Sequence, residues 1–170
     1  MDNYSRIQYQ EKSNKAHRRL IYVGLMILVL LLVSLYLFFV LLPINSSVGK
    51  FSSLAETKAG IKKVKTFKES DRNGNYYSIY GTNSKGKEYL VIFNAKKKIV
   101  DKVPVSEQLS DSKLDKIYEK YKVKNVYSFA PSIYKGRAVF ELSYAGKKNS
   151  VSFLTVDLKS GKVYRLIEGL

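Results

Sequence analysis

Serine and lysine residues spaced three apart recur along this sequence, and they are the residue types of one known nucleophilic chemistry. Lys159-Ser160-Gly161 matches the Lys-[Ser/Thr]-Gly pattern of penicillin-recognising enzymes, and Ser-x-x-Lys occurs at Ser47–Lys50, Ser110–Lys113 and Ser132–Lys135. Such a serine nucleophile needs its lysine at helical spacing and an oxyanion hole beside it. The matches fall in a polar linker, at a predicted helix cap, after a proline and in a predicted turn. In a chain rich in both residue types they arise by chance, so the sequence predicts no catalysis of this kind.

Paired carboxylates, which could serve as general acid and base, have little support. Asp115 and Glu119 lie one helical turn apart, but Lys116 and Lys120 accompany them, as on a solvated helix face. The chain has no cysteine and one histidine, so it lacks most ligands of structural zinc sites, and it contains no phosphate-binding glycine motif. The sequence therefore predicts a protein that is not an enzyme and that holds no cofactor and no metal.

Acidic and glycine residues between apolar runs indicate turns instead. In VDLKSGKVYRLI, Leu158 to Gly161 occupy the corner between two strands, and Asp157 can accept hydrogen bonds from the backbone of the turn. Asn83 to Gly86 is predicted to form a similar corner between two earlier strands. We interpret Asn83, Gly86, Asp157 and Gly161 as structural turn residues.

The most apolar segment runs from Leu20 to Leu42, 23 residues without a charge. A helix of that length spans about 35 Å, enough to cross a hydrocarbon core of about 30 Å. The run is longer than the apolar region of a cleaved signal peptide, and no small-residue cleavage site follows it. The sequence therefore predicts an uncleaved transmembrane helix at 20–42.

Basic residues are distributed unequally around that helix. Lys50 is the only basic residue among the 15 that follow it, whereas five precede it: Arg6, Lys12, Lys15, Arg18 and Arg19. Positive charge close to a membrane helix stays on the cytoplasmic side. We expect a single-pass protein of the cell membrane, with a cytoplasmic basic tail at 1–19, a short polar stalk at 43–50 and an extracellular part beyond it.

The part beyond the stalk repeats one pattern of elements. A weak helical stretch from Phe51 to Ala59 precedes four segments typical of strands, and a better helix capped by Ser110 precedes four more. The apolar face of the second helix is predicted at i, i+3, i+4 and i+7, namely Leu114, Ile117, Tyr118 and Tyr121. The pattern predicts an α+β fold in which two helix-on-antiparallel-sheet units, 51–103 and 104–170, pack together.

One strand of the second unit shows a clear alternation. In RAVFELSYA, residues 137–145, Ala138, Phe140, Leu142 and Tyr144 alternate with the set Arg137, Val139, Glu141 and Ser143. Such alternation is typical of a half-buried strand. Glu141 is therefore expected, like most of the acids, at an exposed position.

Excess positive charge is the feature that packing does not explain. Of the 30 Lys and Arg residues, 25 lie beyond residue 42, together with 12 of the 14 acids. The local concentrations are Lys62, Lys63, Lys96, Lys97, Lys98, Lys147 and Lys148. Because an extracellular domain meets no nucleic acid, the expected anionic contacts are lipid headgroups or wall polymers. The alternative is that these lysines only keep the domain soluble.

Two segments resemble known families. NYYSIYGTNSKGKEYLVIF, residues 75–93, has paired tyrosines and a glycine turn before an apolar strand, and resembles the first domain of the TseB-like cell-wall elongation regulators, which are single-pass membrane proteins of Gram-positive bacteria. SFLTVDLKSGKVYRLI, residues 152–167, resembles the last hairpin of a PepSY-type domain. The resemblance covers about residues 50–170, together with the tail and the anchor.

The resemblance implies two tandem cystatin-like or PepSY-like units outside the membrane. It also implies a protein that binds and regulates a penicillin-binding transpeptidase of the elongation machinery, and it supplies no catalytic residues. Two alternatives stay open. One is a module whose lysines bind anionic wall polymer or lipid headgroups, and the other, from PepSY-type resemblance alone, is a peptidase inhibitor.

Overall fold

The computed structural model describes residues 3–147 and 150–169, with side chains described for 17–40, 46–147 and 150–169. The chain divides into two compact units, Met1–Ser47 and Val48–Leu170. Its regular elements, apart from a short 3-10 turn at Val105–Glu107, are α1 (Asn3–Ala59), β1 (Ile61–Ser70), β2 (Tyr76–Asn83), β3 (Glu88–Asn94), β4 (Ile99–Pro104), α2 (Asp111–Lys120), β5 (Val126–Tyr134), β6 (Arg137–Ala145), β7 (Val151–Asp157) and β8 (Val163–Ile167).

Helix α1 carries the apolar run. Its segment His17–Val40 has 24 residues and a mean hydropathy of 2.9, and none of it is buried within the protein. An apolar surface of this length is unfavourable in water, and by its length and composition the segment could cross a membrane. Residues 43–50, predicted as a stalk, are helical and belong to α1.

The stretch Phe51 to Ala59, predicted as a helix of its own, forms the last turns of α1. The helix ends at Ala59, and the next residue, Gly60, has a φ of +68°. This left-handed conformation is open to glycine at little cost, so the chain can turn directly into β1.

Two four-stranded antiparallel sheets follow, in the orders β1-β2-β3-β4 and β5-β6-β7-β8. Each strand pairs with its neighbour in sequence, as in β2 with β3 and β6 with β7. The predicted α+β class, with one apolar helix and two such sheets, is confirmed.

The last turns of α1 pack on one face of the first sheet. The buried side of this helix follows a spacing of four residues and consists of Phe51, Ala55 and Ala59. The Phe51 ring stacks on Tyr77 with a centroid distance of 4.0 Å and lies 5.6 Å from the Phe93 ring. These contacts fix the start of the second unit against the ends of β2 and β3.

Strand β3 joins two hydrophobic cores. Val91 and Phe93 belong to the cluster under α1, whereas Leu90 and Ile92 belong to a larger cluster that includes strands of the second sheet. Because both faces of β3 are buried, its central residues 89–93, YLVIF, are continuously apolar where a half-buried strand would alternate.

Helix α2 covers the second sheet. Its predicted apolar face, which includes Leu114 and Ile117, packs against the larger cluster as expected. Ser110 occupies the N-cap position, but its side chain makes no capping hydrogen bond to the helix. Its hydroxyl lies 3.2 Å from the hydroxyl of Ser112 instead.

The prediction of a half-buried β6 is wrong. Val139, Glu141 and Ser143, expected on the solvent side, are buried like the apolar set. The cause is the first sheet, since Ser70 and Asn73 contact Glu141, and the Arg72 guanidinium lies 4.2 Å from the centre of the Phe153 ring. The alternation along β6 therefore separates an apolar core from a polar interface between sheets.

Candidate functional site

The turn at Asp157 has the structural role predicted for it. Asp157 is buried, and its Oδ1 accepts hydrogen bonds from the backbone N–H groups of Lys159 and Ser160 and from the Ser160 hydroxyl. Its Oδ2 accepts one from the Tyr164 hydroxyl at 3.0 Å. Burial by itself raises the pKa of this carboxyl, but the bonds from Ser160, Tyr164 and Lys159 outweigh it and hold the pKa below its ordinary value.

The turn at Asn83 is built in a related way. Asn83 Oδ1 accepts from the backbone N–H groups of Lys85 and Lys87, and the Gly86 N–H donates to the Asn83 carbonyl at 3.1 Å. The Gly161 N–H donates to the Asp157 carbonyl, four residues back, so that loop is one residue longer. Both glycines have left-handed φ values, +74° and +76°.

No Ser-x-x-Lys motif forms a nucleophilic site in the described part of the chain. Ser132 is buried and its hydroxyl has no hydrogen-bond partner among the described residues, whereas Lys135 lies in the β5–β6 turn. Lys159 pairs with Glu107 at 2.6 Å and not with a serine. Ser47 and Lys50 lie in α1, and Ser110 begins α2.

The predicted lysine concentrations do not form one surface. Lys62 and Lys63 lie at the start of β1, which the register Ile61↔Asn83 places beside the β2–β3 turn. Lys96, Lys97 and Lys98 lie in and beside the β3–β4 turn, at the opposite end of the first sheet. Lys147 is exposed at the β6–β7 turn, and Lys148 lies outside the described residues.

Lys97 has two cationic neighbours that the sequence does not reveal. Lys50, in α1, lowers the pKa of Lys97 by the close approach of its ammonium group and by charge repulsion, and the charge of Lys58 lowers it further. Lys97 also has a left-handed φ of +59°, at the position where the β2–β3 turn uses Gly86. For a residue other than glycine this conformation costs about 1–2 kcal/mol.

Glu141 is a buried acid that sequence reasoning placed on the surface. Its two carboxylate oxygens accept hydrogen bonds from the Ser70 hydroxyl and the Asn73 amide. Burial lowers the pKa of Arg72, and the charge of Glu141 offsets only part of that shift. These partners lie on and after β1. The carboxylate therefore joins the two sheets and is not accessible to a substrate.

A large concave surface lies at one end of the second sheet. It has a volume of about 1120 Å³, and we call it the second-sheet groove. It is lined by the end of α2 and the segment after it, by the β6–β7 turn and by the end of β8. Its floor and rim include Tyr118, Tyr121, Lys122, Val123, Tyr144 and Leu166. No cluster of three potential metal ligands was found among the described residues.

Tyr144 places an unsatisfied polar atom in this groove. The residue is 2% exposed, and its hydroxyl has no hydrogen-bond partner among the described residues. Burial raises the pKa of the phenol, the charge of Glu168 raises it further, and the Ser152 hydroxyl opposes them from beyond normal hydrogen-bond geometry. A buried donor without a partner is unfavourable, and this hydroxyl is a polar atom of the groove wall that the described residues leave unsatisfied.

Exposed apolar side chains border the same end of the second sheet. Val126 and Tyr127, at the start of β5, are exposed, and so is Leu166 near the end of β8. The registers Val126↔Tyr144 and Leu154↔Leu166 place these residues at the end of the sheet where the groove lies. Aromatic and aliphatic side chains around a concave surface are typical of protein interfaces. In the sequence, the run YEKYKVKN, residues 118–125, in which aromatic and aliphatic residues alternate with lysines, is the signal that could have indicated this surface.

Comparisons with known proteins agree with the first half of this fold. A family model, the cell wall elongation regulator TseB-like domain, matches residues 52–94. The predicted resemblance of residues 75–93 to the TseB-like regulators is confirmed. The matched segment comprises the last turns of α1 and strands β1 to β3, and the matching model describes a regulator domain.

Two solved structures are similar to the chain. The YpmB protein from Bacillus subtilis has a TM-score of 0.62 and 22% identity, over 71% of this chain and 96% of that protein. A candidate lipoprotein from Clostridium difficile 630 has a TM-score of 0.37 and 12% identity, over 74% and 92%. No curated protein sequence matches significantly. The likeness to YpmB supports the fold of the two sheets.

Proposed function

We propose that this protein is a non-catalytic, membrane-anchored module that regulates cell-wall synthesis by binding a penicillin-binding transpeptidase. The observation that carries the proposal is the match of residues 52–94 to a domain of cell-wall elongation regulators.

The proposed organisation follows the sequence. Residues 1–19 form a cytoplasmic tail, 20–42 the anchor and 43–50 a linking segment, and 51–103 and 104–170 form two extracellular α+β units. The charge difference across the apolar segment supports this orientation. An anchor keeps the outer units close to enzymes of the same membrane, which makes weak contacts effective.

The second-sheet groove is the contact surface that we assign to the transpeptidase. It combines three features of an interface core, namely aromatic lining residues, exposed apolar residues at its border and the unpartnered Tyr144 hydroxyl. Lys120, Lys122, Lys124 and Lys147 lie on its rim, where charge steers association more than it adds affinity.

Photocrosslinking on intact bacteria tests this proposal. The chain has no cysteine, so a single cysteine at Lys122 can be modified with a membrane-impermeant maleimide that carries a photoreactive group. After irradiation, fluorescent penicillin identifies any crosslinked product that contains a penicillin-binding protein. We expect a fluorescent adduct from Lys122→Cys and much less from Ser84→Cys, an exposed site on the β2–β3 turn.

Three outcomes would contradict the proposal. Equal adducts from the two sites would show that the groove is not the contact surface. A well-labelled chain that gives no penicillin-binding adduct would reject the transpeptidase as the partner. A cysteine that reacts only after the cells are broken would reject the extracellular location.

A further inference from the structure

The end of the first sheet next to the β3–β4 turn combines positive charge with exposed apolar side chains. We define this surface, the Lys97 corner, as Lys50, Lys58, Lys96, Lys97, Lys98, Ile99 and Val100. Ile99 and Val100 are 36% and 41% exposed, although they begin a β-strand. Strand β4 forms one edge of the first sheet.

The packing of α1 brings Lys50 to this corner. Phe51 is buried 5.6 Å from Phe93, and Phe93 pairs with Ile99 across the β3–β4 turn. Lys50, the residue before Phe51, is therefore held beside Lys97, and both are exposed. Both charged groups that shift the pKa of Lys97 are themselves ammonium groups, Lys50 and Lys58. Adjacent ammonium groups repel one another, and a phosphate that contacts two of them would relieve that repulsion.

The corner is also where the chain enters the second unit. The apolar segment ends at Leu42, and Lys50 follows it by eight residues. A fully extended chain of eight residues spans at most about 28 Å. Within that limit the headgroups of the anchoring membrane are present at high effective concentration, whereas a soluble polymer must be captured from solution.

We infer that the Lys97 corner docks on anionic phospholipid headgroups of the membrane that holds the anchor, with its lysines on the phosphates and Ile99 and Val100 in the interfacial layer. Side chains of this kind, basic with neighbouring aliphatic residues, bind the headgroup region of anionic bilayers. Docking would fix the orientation of the second unit on the bilayer. This inference rests on the anchor and not on the identity of the protein partner.

Fluorescence of the full chain in vesicles tests this inference. A single cysteine at Val100 carries an environment-sensitive dye, in vesicles of phosphatidylcholine alone or with 30% phosphatidylglycerol, and with a quencher attached to the lipid. We expect a blue-shifted, quenched dye in the vesicles that contain phosphatidylglycerol, and loss of both effects in 0.5 M salt because screening weakens surface charge. The same dye at Ser84→Cys should show neither effect.

Two matched double variants test whether docking depends on the lysines of the Lys97 corner or only on the total positive charge. If each lysine raises the ratio of docked to undocked chains about fivefold, K50Q/K97Q should lower that ratio about 25-fold. The control K62Q/K63Q, which removes the same charge at the other end of the sheet, should leave quenching unchanged. Equal loss in the two variants, or equal quenching without phosphatidylglycerol, would overturn the inference.

A further arm distinguishes lipid from wall polymer. Soluble poly(glycerol phosphate) is added to the chain in phosphatidylcholine vesicles. If the emission of the dye does not change, the result supports docking on lipid. A dye response that depends on Lys50 and Lys97, together with no response to phosphatidylglycerol, would assign the corner to the polymer and overturn the lipid assignment. Because neither arm contains a transpeptidase, failure here leaves the proposed protein contact standing.

Discussion

The carboxylate of Asp157 accepts four hydrogen bonds, from the backbone of Lys159, from the backbone and hydroxyl of Ser160, and from the hydroxyl of Tyr164. Each bond favours the charged form over the neutral acid. The Lys159-Ser160-Gly161 motif, which matches a pattern of penicillin-recognising enzymes, is therefore part of the hydrogen-bonded turn. The Asp157 carboxylate therefore stabilises the turn.

Asp157→Asn should lower the free energy of unfolding by about 1–3 kcal/mol at pH 7, since an amide accepts fewer of these bonds. Because the pKa of Asp157 is depressed in the folded state, the contribution of the ionised carboxylate is complete above the ordinary value of 3.8 and is lost as the pH falls below it. Urea unfolding at pH 7 and pH 3 measures the change. The exposed Glu119→Gln serves as the control, and an Asp157→Asn effect of the same size at both pH values would contradict the expectation.

The β2–β3 turn at Gly86 and the β7–β8 turn at Gly161 differ in how they pack against neighbouring elements. The β2–β3 turn projects into open space, and no atom would lie within 4 Å of a Cβ at Gly86. The β7–β8 turn packs against the start of α2, where a Cβ at Gly161 would lie 2.9 Å from Leu109 Cδ1 and 3.2 Å from Ile117 Cδ1. The Leu109 N–H also donates to the Leu158 carbonyl at 2.8 Å. The β2–β3 turn therefore only reverses the chain, whereas the β7–β8 turn also positions α2.

Alanine at these glycines should separate the two effects. Gly86→Ala should cost about 1 kcal/mol, the penalty of the left-handed conformation alone. Gly161→Ala should cost about 1–3 kcal/mol more, because the added methyl group also displaces Leu109 and Ile117. The two variants are compared by urea unfolding under one condition. Equal losses of stability would show that α2 does not depend on this turn.

At the scale of the second unit, the two sheets meet through polar as well as apolar contacts. The Ser70 hydroxyl, at the end of β1, donates to the buried carboxylate of Glu141 on β6, and the Ser78 hydroxyl donates to the Pro131 carbonyl at 3.1 Å. A buried carboxylate left without its partner is costly. The arrangement of the sheets therefore depends on a small number of specific side chains.

A double-mutant cycle of Ser70→Ala and Glu141→Ala should give a coupling energy of about 0.5–3 kcal/mol, since the two residues share one buried hydrogen bond. The free energies of unfolding of the two single variants, the double variant and the parent define it. The exposed pair Lys159–Glu107, with side chains 54% and 53% exposed, is the matched control and should give about 0.2–1 kcal/mol. Coupling no larger than in the control would show that Glu141 does not hold the sheets together.

Local patterns account for the parts of the protein that were predicted well. The strands, the face of α2 and the turns at Asn83 and Asp157 depend on hydrophobic period and on hydrogen bonds between residues close in sequence. The apolar segment is equally local, since its length and composition alone make it able to span a bilayer. The predicted family resemblance rests on the same turn and strand patterns.

Contacts between distant residues account for what was missed. In the sequence, Glu141 alternates with apolar neighbours as an exposed residue of a half-buried strand would. Its burial becomes visible only from the contacts with Ser70 and Asn73, which are distant in sequence. Lys50 and Lys97 are 47 positions apart, and the packing of Phe51 on Phe93 brings them together.

The sequence by itself determined the apolar segment that could span a membrane, the α+β class and the absence of a recognisable catalytic motif, because each depends on residue type and short-range spacing. The tertiary structure alone decided that β3 and β6 are buried on both faces, that the lysines divide between separate surfaces and that Tyr144 opens on a groove. Burial and charge proximity depend on which elements pack together, and packing is set by the whole chain.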